Sequence, residues 1–197
     1  MIENKWRPLA QTRFIDPFIK KTGLLHFHPN VLSIAACLFG LLTLPLLCLH
    51  CRFLSLSALF LSGFLDILDG SVARLKDLSS EKGAALDIIC DRVVESAIII
   101  GLFLYVPAYP FLSLLMLSSV LICVTSFLVV GIFTPKAVSP SVKAFYYSPG
   151  LIERCEAFFF FAAMILFPSF FALLSTLFSL LVLYTAFLRT FQFIIKP

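Results

Sequence analysis

The feature that most constrains this chain is the length of its apolar runs. Six of them, at about 31–50, 53–73, 84–106, 110–134, 151–168 and 170–194, are separated by short polar or proline-bearing breaks. A helix needs about 20 apolar residues to cross the hydrocarbon layer. Only helices and closed barrels satisfy their backbone polar groups there. These runs are continuous, unlike the short alternating segments of a barrel, so they predict helices. Composition agrees: of 197 residues, 60% are hydrophobic and 13% charged. Soluble domains hold about 45–50% apolar and about 25% charged residues. A soluble globular enzyme and a disordered chain are both excluded. Six cysteines are too few for a disulfide scaffold.

The expected fold is an all-α membrane protein, with six transmembrane helices preceded by an N-terminal amphipathic surface helix. It is one domain over 1–197, with 1–29 as the surface helix and 30–197 as the six-helix bundle. Residues 1–29 carry Lys5, Arg7, Arg13, Lys20 and Lys21, with Trp6, Leu9, Phe14, Ile15, Phe18 and Leu24 interspersed at helical spacing. They lack the short apolar core and small-residue cleavage site of a signal peptide. With the N-terminus inside, twelve of the fifteen Lys and Arg residues fall on the cytoplasmic side. This positive-inside bias predicts that both termini face the cytoplasm. Cys48 and Cys51 lack two further ligands for a metal site, and the other cysteines read as packing residues. His26 and His28 read as interfacial.

Acids inside apolar runs are costly and are functional candidates by default. The second run ends with Asp66 and Asp69, three apart and so on one helix face. The third begins with Asp87 and Asp91, four apart and also on one face. The runs are antiparallel and joined by a short stretch. They should be neighbours, with all four carboxylates at similar depth near the cytoplasmic end. Such a cluster could carry protons or hold divalent cations. Hard oxygen ligands favour Mg²⁺ or Mn²⁺, and four carboxylates suffice for two metals about 3.5–4 Å apart. Gly70, Ala73 and Gly83 bare the helix surface beside the acids, or simply let helices pack. Arg74, at the interface, is placed to hold a phosphate, or simply obeys the positive-inside bias.

The whole string, Asp66-x2-Asp69-Gly70-x2-Ala73-Arg74-x8-Gly83-x3-Asp87-x3-Asp91, resembles the full signature of the CDP-alcohol phosphotransferase family. The resemblance extends to length, six spans and an N-terminal surface helix. It implies transfer of a phosphatidyl group from a CDP-linked lipid, usually CDP-diacylglycerol, to a small hydroxyl acceptor, with release of CMP. It further implies a two-metal site of Mg²⁺ or Mn²⁺ held by Asp66, Asp69, Asp87 and Asp91, with Asp91 also the general base. Asn30, Val31, Leu32 and Ser33 resemble the family's cytidine-side segment. Gly70, Ala73, Arg74, Ser80 and Gly83 match its nucleotide and diphosphate contacts. The location implied is a bacterial inner membrane, with the active site at its cytoplasmic face. Implied partners are membrane lipid, CDP-diacylglycerol and the acceptor, with no nucleic acid. Members tend to form homodimers through span faces.

Acceptor contacts are expected from Lys136, Arg154 and Arg189, with pairing to Glu95, Glu153 or Glu156 as the structural alternative for the arginines. Within the family, Leu86-Asp87-x3-Asp91-Arg92, Gly150-Leu-Ile-Glu-Arg154-x-Glu156 and Thr185-x3-Arg189 are most similar to phosphatidylinositol-phosphate synthases and phosphatidylglycerophosphate synthase-type members. Two positions depart. Ala157 stands where that type has a second Arg, and Gly131-Ile-Phe-Thr-Pro135 replaces a basic run. Glycerol 3-phosphate, an inositol-type polyol or its phosphate, serine and an amino alcohol all stay open as acceptors. An ion-coupled transporter using the intramembrane acids is the alternative of a different class. Its site would usually lie near the midplane, and these acids gather at one end.

Overall fold

The computed structural model describes residues 13, 15–23, 28–78, 80–133 and 154–195. Every regular element among them is helical. The elements are α1 (Asp16–Thr22), α2 (Pro29–Cys48), α3 (Arg52–Leu75), α4 (Glu81–Tyr105), α5 (Pro110–Phe133), α6 (Arg154–Leu166) and α7 (Phe171–Ile195), with a 3-10 turn at Pro168–Phe170 before α7. Each expected apolar run is matched by a helix whose ends fall within a few residues of the expected bounds. Among the described residues, four elements are long and apolar enough to cross a membrane: α2, α3, α5 and the stretch Pro168–Ile195. Helix α4 has 25 residues, but Asp87, Asp91, Arg92 and Glu95 interrupt its apolar character. Helix α6 has 13 described residues. Of the expected surface helix, α1 is described; residues 1–12, 14 and 24–27 lie outside the described residues, as does Lys136.

The chain divides into two compact units, the division falling after Tyr105. In the first unit, α2 is the central element. Pro29 opens it, where a missing N–H costs nothing. His28 caps it by accepting a hydrogen bond at Nδ1 from the Asn30 N–H, at 3.3 Å. Helix α3 returns antiparallel to α2: Ser62 Oγ donates to the Ala36 carbonyl at 2.7 Å, and Ser33 lies opposite Asp69. Helix α4 runs parallel to α2. A Cβ on Gly40 would stand 2.5 Å from Val94, and one on Gly101 would stand 2.9 Å from Leu47 and 3.3 Å from the Leu44 backbone. Seven residues on, both helices present the next such contact, so the two glycines alternate sides of a close parallel seam.

Helices α3 and α4 both pack along α2 and not extensively against each other. The expected neighbours α3 and α4 thus meet through the carboxylates near their joined ends and not along their length. The short turn joins their ends, but α2 occupies the packing face of both. The turn passes through Asp77 at φ 53°, in the left-handed region. An apolar cluster of Ile19, Leu32, Leu68 and Val72 ties α1 onto α2 and α3. The Phe18 and Phe64 rings meet edge to face at 5.9 Å.

In the second unit, α5 and α6 pack against α7. Phe160 and Phe161 meet Phe178 at ring separations of 5.7 and 5.4 Å. Ser175 and Ser179, both buried, return their hydroxyls to the Phe171 and Ser175 carbonyls. That satisfies them within their own helix, as a span in lipid requires. Large apolar side chains such as Phe111, Leu121 and Ile132 point outward, a surface suited to hydrocarbon.

Candidate active site

Helical spacing places Asp66 and Asp69 on one face of α3, and α4 brings Asp87 to them. One ligand oxygen from each of the three lies within 4.8 Å of the others. Asp69 is buried, at 6% exposure. It accepts a hydrogen bond from Ser33 Oγ at 2.5 Å, which links α2 to the cluster. Three carboxylates at such separation repel one another in a low dielectric unless a cation or protons intervene. Their oxygens are hard donors, the set that Mg²⁺ and Mn²⁺ take. The cluster is therefore one that a divalent cation fits. Asp91 stands outside this triad, one turn further along α4, with its Oδ2 3.9 Å from the Arg92 guanidinium.

The residues matched to nucleotide contacts group around the same helix ends. Gly83 donates its backbone N–H to Ser80 Oγ at 3.1 Å. A Cβ on Gly83 would lie 3.2 Å from that oxygen and 3.5 Å from Asn30 Oδ1, so Asn30, Ser80 and Gly83 come together. Arg74 folds back along α3: its Nη2 donates to Ser71 Oγ at 3.3 Å, and a Cβ on Gly70 would meet its Nη1 at 3.4 Å. The bare Gly70 surface thus lies under a guanidinium. Ala73 is half-buried on the same helix, and Val31 is exposed. Leu32 is placed otherwise, its side chain spent on the apolar cluster with Ile19.

Of the residues expected to contact the acceptor, Arg189 is well defined. Its Nη1 donates to the Cys123 carbonyl at 3.1 Å and to Ser126 Oγ at 3.4 Å. Its guanidinium lies 5.3 Å from the Phe127 ring centre. Among the described residues, these partners are all neutral. Arg154 stands over the Phe158 ring at 5.7 Å. Glu95, offered by the sequence as a partner for Arg154 or Arg189, pairs with Arg92 on its own helix. Spacing alone could have found that pair, since the two residues are three apart in a helix. The His28 cap and the Gly40 and Gly101 seam have no signal in the spacing.

Over residues 26–192 the sequence matches the family described as CDP-alcohol phosphatidyltransferase. The inner membrane protein YnjF of Escherichia coli K12 is 32% identical over 169 residues, covering 83% of this chain and 82% of that protein. A phosphatidylinositol phosphate synthase of Mycobacteroides abscessus is 33% identical over 99 residues. That match takes in 50% of this chain and spans 43% of the synthase's length. The crystal structure of Mycobacterium tuberculosis phosphatidylinositol phosphate synthase with CDP-DAG bound shares the fold, with a TM-score of 0.77 at 18% identity over 94% of this chain and 96% of that one. A family match over most of the chain, with a relative matched along most of both sequences, identifies this protein as a member of the CDP-alcohol phosphatidyltransferase family.

Proposed function

We propose that this protein transfers a phosphatidyl group from CDP-diacylglycerol to the hydroxyl of a small alcohol and releases CMP. The observation that carries the reading is the meeting of Asp66, Asp69 and Asp87 within the family signature. These three, with Asp91, would hold Mg²⁺ or Mn²⁺. When bound, the metal neutralises the diphosphate and stabilises the departing CMP. Ser33 orients the Asp69 carboxylate through its hydrogen bond. Asn30, Val31, Ser33, Gly70, Ala73, Arg74, Ser80 and Gly83 form the CDP-lipid site, with the bare Gly70 and Gly83 surfaces admitting the phosphates closely and Leu32 packed beneath them in the apolar cluster. Asp91 takes the proton of the acceptor hydroxyl. The acceptor oxygen bonds to the phosphatidyl phosphorus as the bond from that phosphorus to the CMP oxygen breaks. Direct displacement is favoured, because the sequence places no Ser–His or Cys–His pair for a covalent intermediate.

Acceptor contact is assigned to Lys136, Arg154 and Arg189. What supports Arg189 is its set of neutral partners, with its Nε buried and lacking a hydrogen-bond partner among the described residues. A cation so placed suits an anionic or polyhydroxyl acceptor. Glycerol 3-phosphate or an inositol-type polyol fits best, with serine or an amino alcohol as the second reading favoured by Ala157. Six spans, both termini and the site at the cytoplasmic face of a bacterial inner membrane, and a homodimer complete the proposal.

The test uses purified full-length protein, CDP-diacylglycerol and a panel of glycerol 3-phosphate, inositol, inositol phosphate, serine and ethanolamine. The expected outcome is CMP release with one of these, abolished by EDTA and restored by Mg²⁺ or Mn²⁺, and a lipid product identified by mass. No turnover with any acceptor, alongside cation or proton movement across vesicles, would favour the transporter instead.

A further inference from the structure

The close seam between α2 and α4 keeps a fixed register. Gly40 meets Val94, and seven residues on Leu47 meets Gly101. One and two turns back, the same register sets Ala36 and Ser33 of α2 beside Cys90 and Asp87 of α4. Cys37, next to Ala36, falls at the level between Cys90 and Asp91. The two thiols come together there: Cys37 and Cys90 share a side-chain hydrogen bond across the two helices. Both are half-buried.

One cysteine in an apolar helix packs as a small hydrophobe. Two in contact across a seam can also be joined. A disulfide asks for Cα atoms about 4.4–6.8 Å apart. Small residues are what lets two helix backbones approach toward that range, and Ala36 and Gly40, both buried, supply them on α2 beside this pair. The reading of the site from its four aspartates leaves both thiols without a part in the transfer.

We propose that Cys37 and Cys90 are an oxidation site, closed by a peroxide into a disulfide that locks α4 against α2 and arrests the transfer. One sulfur takes an oxygen from the peroxide. Its S–O bond forms as the O–O bond breaks, giving a sulfenic acid and a first molecule of water or alcohol. The second sulfur then bonds to the first as the S–O bond breaks, and water leaves. The two thiol protons depart in these products, and the two electrons lost by the pair reduce the peroxide. Cys90 lies between Asp87 and Asp91 in the chain, so the bond fixes the stretch of α4 that carries both. Ser33 already ties Asp69 to α2. The same bond therefore fixes how the carboxylates of α3 and α4 face each other. The arrest, though not the disulfide, rests on the transfer reading.

The experiment treats the purified full chain with hydrogen peroxide or with membrane-soluble cumene hydroperoxide and then blocks the remaining thiols. Peptide mapping by mass looks for a linked Cys37–Cys90 peptide. CMP release from CDP-diacylglycerol is measured on the same sample, with Mg²⁺ and the acceptor of the panel above that gives the fastest release. The linked fraction should rise with dose and the rate should fall in step. At full closure the loss should approach about 10²-fold, the cost of a misplacement of about 1 Å at a reacting centre. Dithiothreitol should reverse both. Cys37→Ser and Cys90→Ser, each compared with its own untreated rate, should keep their activity under peroxide. A chain with Cys48, Cys51, Cys123 and Cys155 all replaced by serine should still lose it. Absence of the linked peptide with either peroxide overturns the proposal. So does a linked protein that transfers at the full rate, or an equal loss in the two single variants. A reduced wild-type protein that releases no CMP with any acceptor overturns the transfer reading and the arrest with it, while the peptide map still decides the disulfide.

Discussion

At the scale of single residues, the four aspartates divide by position. Asp66, Asp69 and Asp87 converge, while Asp91 lies a turn away beside Arg92. Removing the charge of Asp91 should therefore spare substrate capture. Asp91→Asn is expected to lower the rate of transfer by about 10²–10⁴-fold and to leave CDP-diacylglycerol binding largely intact, read by equilibrium binding beside single-turnover CMP release. Loss of binding with normal residual chemistry would contradict the role. Ser33 is a subtler case. The resemblance set it in the cytidine-side segment, yet its hydroxyl is directed at Asp69. Partners that orient a metal's carboxylates are worth about 10–100-fold in metal affinity. Ser33→Ala should raise the Mg²⁺ concentration for half-maximal activity by that order, with a smaller effect at saturating metal. The spacing of the four aspartates made the acids legible, because a three- or four-residue step fixes a shared helix face. It did not reveal Ser33 opposite Asp69, nor Arg92 turned to Glu95. Spacing identifies a face and is silent on what lies across from it.

At the scale of elements, the apolar runs gave helix extents within a few residues, since hydrocarbon thickness sets their length. Their partners were another matter. Connection by a short turn suggested that α3 and α4 are neighbours, but both lean on α2. The reason is the parallel seam, in which Gly40 and Gly101 let α4 approach α2 more closely than any side chain allows. A glycine in an apolar run gives no sign of which helix it faces. The seam makes a quantitative prediction. A methyl group at Gly40 would sit against Val94, which is 1% exposed and cannot yield. Gly40→Ala is expected to cost about 1–3 kcal/mol by overpacking, measured as a lowered thermal midpoint in detergent. Val94→Ala in the same chain should restore part of it. Additive losses in the double variant would place the strain elsewhere.

At the scale of the whole molecule, the charge bias predicts an orientation that chemistry can probe. Cys48 is exposed as the last residue of α2 and Cys51 just beyond it, and Cys155 is exposed at the start of α6. With both termini inside, a membrane-impermeant maleimide applied to intact cells should label Cys48 and Cys51 and spare Cys155. Inverted vesicles should give the opposite pattern. Labelling of Cys155 in intact cells would reverse the topology and move the site to the other face.

The order of α2 and α3 along the chain also bears on how such a protein can be made. Asp66 and Asp69 precede Asp87 in the chain, so during synthesis they leave the ribosome ahead of the helix that shares the site with them. The hydroxyl of Ser33 and the Ala36 carbonyl belong to the preceding helix and are already in place to meet Asp69 and Ser62. Helix α2 thus offers hydrogen-bond partners to the polar groups of α3 from the part of the chain made first, as polar groups leaving water for lipid require.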